Sequence, residues 1–278
     1  MPDTPHAFTT RDVAYLRHGD RRLMARLFVP HGPGPFPAVV ELHGGAWCNG
    51  DLTDCQPYAE ALAHGGIAVA AVDFRQGGDG CPAALADINY AIRWVKAHAG
   101  ELNTRPDLIG AAGQSSGGHL AMLAAMRPDD PRSTAIPLPS AAPAVEASLR
   151  AVALLWPVIN PLSRYRHALR ARDSVSPPSW VGDIPQRHDL FWQTEAAMAD
   201  GNPMLALERG EPRRGGRVLP GQDAGGRIGR PGGTATSGGP ASARVTSPPG
   251  SASPRMIAVR SRRAPAPRDS RRSARGPA

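Results

Sequence analysis

The chain has 278 residues, 41% of them hydrophobic and 20% charged, with a formal net charge of +8. That is enough apolar sequence for one sizeable α/β core, which excludes a fully disordered chain, and no apolar run approaches the roughly 18–20 residues that span a bilayer. The opening MPDTPHAFTTRD lacks a basic-then-apolar layout, so a signal peptide is not expected, and three unevenly spaced cysteines (Cys48, Cys55, Cys81) fit a reducing cytoplasm better than a disulfide scaffold.

The charge is unevenly distributed. Residues 209–278 hold 15 Arg, no Lys and three acids, a net of +12 that leaves the first 208 residues at −4. A nucleic-acid or anionic-surface partner inferred from the overall charge would therefore have to bind this last segment, and the contact would be non-specific, with no aromatics to stack on bases. The same segment is rich in Gly and Pro and poor in large apolar residues. It cannot bury enough area to offset its chain entropy, so a disordered tail is expected from residue 209 onward.

In chain order, residues 11–17 and 22–29 read as a hairpin around His18-Gly19-Asp20-Arg21. Residues 38–42 (AVVEL) form a short buried strand that ends at Gly44-Gly45. A helix over 57–64 starts at a proline and stops at Gly65-Gly66. Residues 67–72 are a second buried strand, and 82–98 an amphipathic helix with Ala84, Ile88, Ala91, Ile92 and Val95 on one stripe. A strand over 108–112, a small-residue helix over 117–126 and a strand over 151–156 follow. Strands alternating with helices predict a mostly parallel sheet with helices on both faces. Beyond Pro157 the pattern loosens into two short helices, about 165–172 and 188–199.

Two segments carry chemistry. Gly113-Gln114-Ser115-Ser116-Gly117 sits between a buried strand and a helix. A sharp turn there lifts the hydroxyl of Ser115 from the sheet, and the helix start beneath it supplies backbone N–H groups for a developing oxyanion. His43-Gly44-Gly45-Ala46-Trp47 follows the strand 38–42. A Gly-rich loop there aims successive N–H groups at one point, so Gly44, Gly45 and Ala46, with Ser116, are the candidate oxyanion hole. His43 is read as a brace for that loop and Trp47 as packing. Cys48, Cys55 and His43 do not have the spacing of a zinc site, and no phosphate loop or dinucleotide fingerprint is present.

HGGAW (43–47), VDFR (72–75), PAALADINYAIRWV (82–95) and GQSSGGHLA (113–121), in this order, resemble the α/β-hydrolase fold, in the esterase branch of hormone-sensitive-lipase-like carboxylesterases and arylformamidases. The similarity runs from about residue 8 to 207. It implies an α/β-hydrolase domain over 8–208, with a cap-like segment over about 157–200, ahead of the 209–278 tail. It also implies hydrolysis of a small acyl ester or aryl amide through an acyl-enzyme on Ser115, with no metal and no cofactor.

The resemblance further implies a triad in the order Ser, acid, His, on strands that should follow about Leu207. No histidine lies after His188. His119 belongs to the GGHLA run and reads as structural. His167, His188, Asp173, Asp183, Asp189 and Asp200 fall in or beside the cap segment. The triad acid and histidine are thus unassigned, and impaired activity is expected. A hydrolase-like protein that binds a small ligand without turning it over is the alternative. The missing strands are expected to leave a sheet edge bare. The Arg/Gly/Pro mixture, with a single Lys in the body (Lys96), suggests a shifted reading frame from about residue 213.

Overall fold

A computed structural model of the chain describes residues 5–211 and 255–258. The hairpin is longer than expected: β1 (Phe8–His18) and β2 (Arg21–Pro30) pair antiparallel around a two-residue turn, with a register shift between Ala14 and Leu16. The sheet continues with β3 (Ala38–Leu42), β4 (Ala68–Val72), β5 (Ile109–Gln114) and β6 (Ala151–Leu155). Its order is β1-β2-β4-β3-β5-β6-β7. β2 meets β4 antiparallel, and every later pairing is parallel.

The seventh strand corrects the expectation of a bare edge. β7 (Arg255–Ala258) lies inside the segment read as a disordered tail and pairs parallel with β6. A strand edge presents unpaired N–H and C=O groups, and these four residues meet those of Ala151–Leu154. The rest of the 209–278 reading falls outside the described residues beyond Glu211, as does the proposed frame shift.

The alternation of a pleated strand decides the layers. On β3, Ala38, Val40 and Leu42 face the larger core, with Ile88 and Ile92 of α2 (Gly80–Ala97) and Leu120 and Leu123 of α3 (Ser115–Met126). Val39 faces the other way, onto a smaller cluster with Ala59 and Ala63 of α1 (Gln56–His64). Ile88 and Ile92 are almost fully buried, a contribution of about 1.5–3 kcal/mol each.

Past β6 the chain forms α4 (Pro161–Arg172), α5 (Ile184–Trp192), α6 (Glu195–Asp200) and α7 (Pro203–Glu208). The single helix expected over 188–199 is two, broken where Gln193 takes φ +61°. Thr194 then caps α6 by accepting from Ala197 N. A new cap restarts the backbone pattern, which a helical period read across the break cannot reveal.

Candidate active site

The register of the central strands brings the two candidate turns together. Leu42 of β3 stands beside Gly113 of β5, so both strands end at the same level. β5 passes into α3 with no intervening loop, and Ser115 makes the turn at φ +52°. That is the left-handed region, uncommon for a residue with a Cβ and held only when the surroundings enforce it. The enforcement is visible at Gly117: a Cβ there would overlap the backbone carbonyls of Leu42 and His43. Only a glycine lets the first turn of α3 sit against the end of β3. On the far side, Val158 N donates to the Ser115 carbonyl at 3.2 Å. Ser115 itself is half-buried, whereas Ser116 is buried with no partner for its hydroxyl.

The loop after β3 runs through three consecutive left-handed residues, Gly45 (φ +103°), Ala46 (+51°) and Trp47 (+63°). Both Cys48 N and Asn49 N donate to the Gly45 carbonyl at 3.1 Å, closing a tight turn. A Cβ on Gly45 would overlap the Asn49 carbonyl. His43 donates from Nδ1 to the Gly44 carbonyl at 2.8 Å, and its buried ring stacks on Phe74 at 4.4 Å. A Cβ built on Gly44 would lie 3.5 Å from that of Ser115 and 3.4 Å from the Gln114 carbonyl. The glycine loop and the serine turn therefore lie side by side, with room for no more than a methyl group between Gly44 and Ser115.

The remaining candidates do not converge on the hydroxyl of Ser115. His119 is buried, donates from Nε2 to the Gly201 carbonyl at 2.7 Å and accepts from Trp47 Nε1 at 3.2 Å. Burial pushes its pKa down to about 4, so it is a neutral ring with both nitrogens engaged. His188 donates from Nδ1 to the Ile184 carbonyl at 2.7 Å, and burial likewise takes its pKa to about 4. His167 is exposed and stacks on Trp180. Asp173 pairs with Arg172, Asp183 with Arg187, and Asp200 with Arg132 and Arg127. Asp189 is exposed, and its carboxylate raises the pKa of the neighbouring Tyr165 hydroxyl. Among the described residues, no histidine or carboxylate hydrogen-bonds to the Ser115 hydroxyl. A cavity of about 270 Å³ beside α4 and α7 has Asn160, Ser163, Arg166 and Asn202 in its walls, but not Ser115.

All three cysteines are free, and burial raises the thiol pKa of each. Among the described residues, no group of three or more His, Cys, Asp or Glu is placed to hold a metal ion, and no helix is long and apolar enough to cross a membrane.

Two residues at or near this site gave no usable signal in the sequence. Arg187 of α5 donates from Nη1 to the Gly45 carbonyl at 3.3 Å, although its four-residue spacing from Asp183 suggests only a surface ion pair. Glu41, inside the apolar run AVVEL, is buried on β3, and desolvation raises its pKa to about 8.

The architecture is that of α/β-hydrolase esterases. The native esterase 2 of Thermogutta terrifontis superposes with a TM-score of 0.52 at 26% identity, over 73% of this chain and 67% of that one. EstE1, a carboxylesterase cloned from a metagenomic library, superposes with a TM-score of 0.55 at 24% identity, over 73% and 66%, and shows the fold alone. In sequence, the chain is 38% identical over 101 residues to the probable carboxylic ester hydrolase LipM of Mycobacterium tuberculosis, which is 36% of this chain and 23% of LipM. It is 41% identical over 91 residues to the carboxylesterase NlhH of the same species, 32% of this chain and 28% of NlhH. The matched stretch thus spans about a quarter of each of these relatives. The family model BD-FAE matches residues 27–193, more than half of the sequence, and the chain belongs to the BD-FAE family.

Proposed function

We propose that the protein is a serine hydrolase of the carboxylesterase type, acting on small acyl esters or aryl amides. The observation that carries this reading is the close approach of the 43–47 loop to the turn at Ser115, made at Gly117 and beside Gly44. In the reaction the Ser115 oxygen attacks the acyl carbon, its proton passes to a base, and the carbonyl oxygen becomes an oxyanion. The N–H groups of Gly45, Ala46 and Ser116 receive that charge, with Gly44 letting the loop approach. The tetrahedral intermediate expels the protonated alcohol or amine and leaves an acyl-enzyme, which water hydrolyses.

The base is the unassigned part. His119 has both nitrogens engaged, and no described histidine bonds to Ser115. Turnover is therefore expected to fall well below that of a complete triad, the residue of catalysis coming from the oxyanion donors and binding. This absence among the described residues also favours a second reading, a hydrolase-shaped protein that binds a small ligand without turning it over. Non-specific binding of nucleic acid by the arginines of 209–278 rests on composition alone. The three free thiols support a reducing, cytoplasmic location.

The test is p-nitrophenyl acetate hydrolysis by the full chain beside Ser115→Ala, with fluorophosphonate labelling. Labelling confined to Ser115 and turnover lost in the alanine variant support the hydrolase. Equal rates for the two proteins refute catalysis by Ser115, and an unlabelled serine favours the ligand-binding reading.

A further inference from the structure

We propose that Arg187, on the cap helix α5, is a positioning residue that fixes the direction of the Ala46 N–H; this rests on the hydrolase reading above. In a trans peptide the carbonyl oxygen and the following N–H point in opposite directions across one plane. Whatever holds the Gly45 carbonyl therefore aims the Ala46 N–H, and whatever holds the Gly44 carbonyl aims the Gly45 N–H.

The second of these is held by His43, whose Nδ1 donates to the Gly44 carbonyl at 2.8 Å from within the same loop. The first is held by three donors. Two are the turn amides of Cys48 and Asn49, both at 3.1 Å, and the third is Arg187 Nη1 at 3.3 Å. Trp47 already anchors the turn through its indole on His119 and its carbonyl on Gly77 N, but the other bonds on the Gly45 carbonyl itself are local to the turn. Arg187 ties it to a different part of the chain, 142 residues away in sequence.

The guanidinium is itself fixed. With the Asn49 amide oriented so that its oxygen faces α5, that oxygen accepts from Nη1 and Nη2, each at 2.9 Å. Asp183 accepts from Nε at 2.7 Å, and the Arg187 carbonyl lies 3.5 Å from the Cys48 thiol. One planar fork thus spans both ends of the Gly45–Asn49 turn, a geometry that a lysine's single ammonium reproduces only in part. The loop also needs such a tie, because Ala46 and Trp47 are held in the left-handed region.

The experiment uses the full chain with Arg187→Met, Arg187→Lys and Asp183→Asn. Hydrogen exchange at 44–49, fluorophosphonate labelling of Ser115, kcat and KM for p-nitrophenyl acetate, and melting temperature are measured together. Arg187→Met is expected to speed exchange at 44–49 about tenfold with α3 unchanged. It is also expected to lower labelling and kcat by about tenfold with KM within about twofold, since removing an oxyanion donor outright costs 10²–10³. Arg187→Lys should recover part of that loss at an unchanged melting temperature. Unaltered exchange at 44–49 in folded Arg187→Met overturns the proposal, as does a loss of activity that merely follows the melting temperature. If Arg187→Met does not fold, unaltered exchange in both other variants overturns it. Faster exchange in a chain whose wild type is never labelled keeps the brace and removes the hydrolase reading instead.

Discussion

Trp47 and His119 form a buried donor–acceptor pair, indole Nε1 to imidazole Nδ1 at 3.2 Å, with the rings nearly perpendicular. The pair joins the loop after β3 to the helix that begins at Ser115, and it fixes the His119 proton on Nε2, where it meets the Gly201 carbonyl at 2.7 Å. Phe191 and Trp192 of α5 close around the same indole. A single buried cluster therefore fastens the glycine loop, the serine helix and α5 to one another.

The burial of His119 and of His188 gives stability an acid limb. The folded pKa values of His119 and His188 are pushed down to about 4 from an ordinary 6.5. Between those values the unfolded chain binds protons that the folded chain refuses, so stability falls as pH drops from 6.5 towards 4. Each histidine contributes a slope of about 1.4 kcal/mol per pH unit at most. Urea unfolding at a series of pH values should show this limb, to which buried His43 also contributes, and His119→Gln, which cannot take up the proton, should flatten it in part. An unchanged limb in that variant would place its origin elsewhere.

Glu41 acts in the opposite sense. Its folded pKa of about 8 lies above the ordinary 4.5 because burial disfavours the carboxylate, and one oxygen has no partner. The folded chain holds a proton that the unfolded chain has released, so stability falls as pH rises from 4.5 to 8. Glu41→Gln keeps the shape without the ionisation. It should stabilise the protein by about 2–4 kcal/mol at pH 8 and by little at pH 4.5. Equal unfolding free energies for the two proteins at pH 8 would contradict the assignment.

Gly117 carries the contact between the two turns. Because a methyl group there would overlap the carbonyls of Leu42 and His43, Gly117→Ala must push α3 away from β3. The expected cost is about 3 kcal/mol, at the upper end for overpacking, and phosphonate labelling of Ser115 should be lost even where the protein stays folded. Gly100→Ala is the control, since nothing lies near a Cβ at that position.

What the sequence made legible follows from how local each cause is. β3 and β4 are short apolar runs whose bounds are set by burial, and their observed ranges fall within a residue of the pattern. The glycines at 113 and 117 mark close backbone approaches, so the turn at Ser115 could be placed without knowing what it touches. α3 begins two residues earlier than periodicity suggests, because a residue such as Ser115 at φ +52° breaks no hydrophobic pattern. Arg187 was invisible because a guanidinium bound to a carbonyl so distant in sequence leaves no mark on its neighbours. β7 was missed because four residues, RMIA, are too few to show a period.

The N-caps of α4 and α7 offer a test of how these two helices after β6 are tied together. Asn202 is buried, and its Oδ1 accepts from Met204 N at 3.0 Å and Leu205 N at 3.4 Å, at the start of α7. Its Nδ2 donates at 2.9 Å to Asn160 Oδ1, which also accepts from Ser163 N at 2.9 Å at the start of α4. Each side chain thus caps its own helix while bonding to the other cap. Asn160→Ala and Asn202→Ala should each cost about 1–2 kcal/mol, the usual worth of a lost N-cap. The second should cost more, since it also leaves backbone donors of α7 without an acceptor in a buried setting. Because the two share one hydrogen bond, the double variant should fall short of the sum by about 0.5–1 kcal/mol. Simple additivity in urea unfolding would mean that the two helices are capped independently, and that the bond between the asparagines contributes nothing to holding α4 against α7.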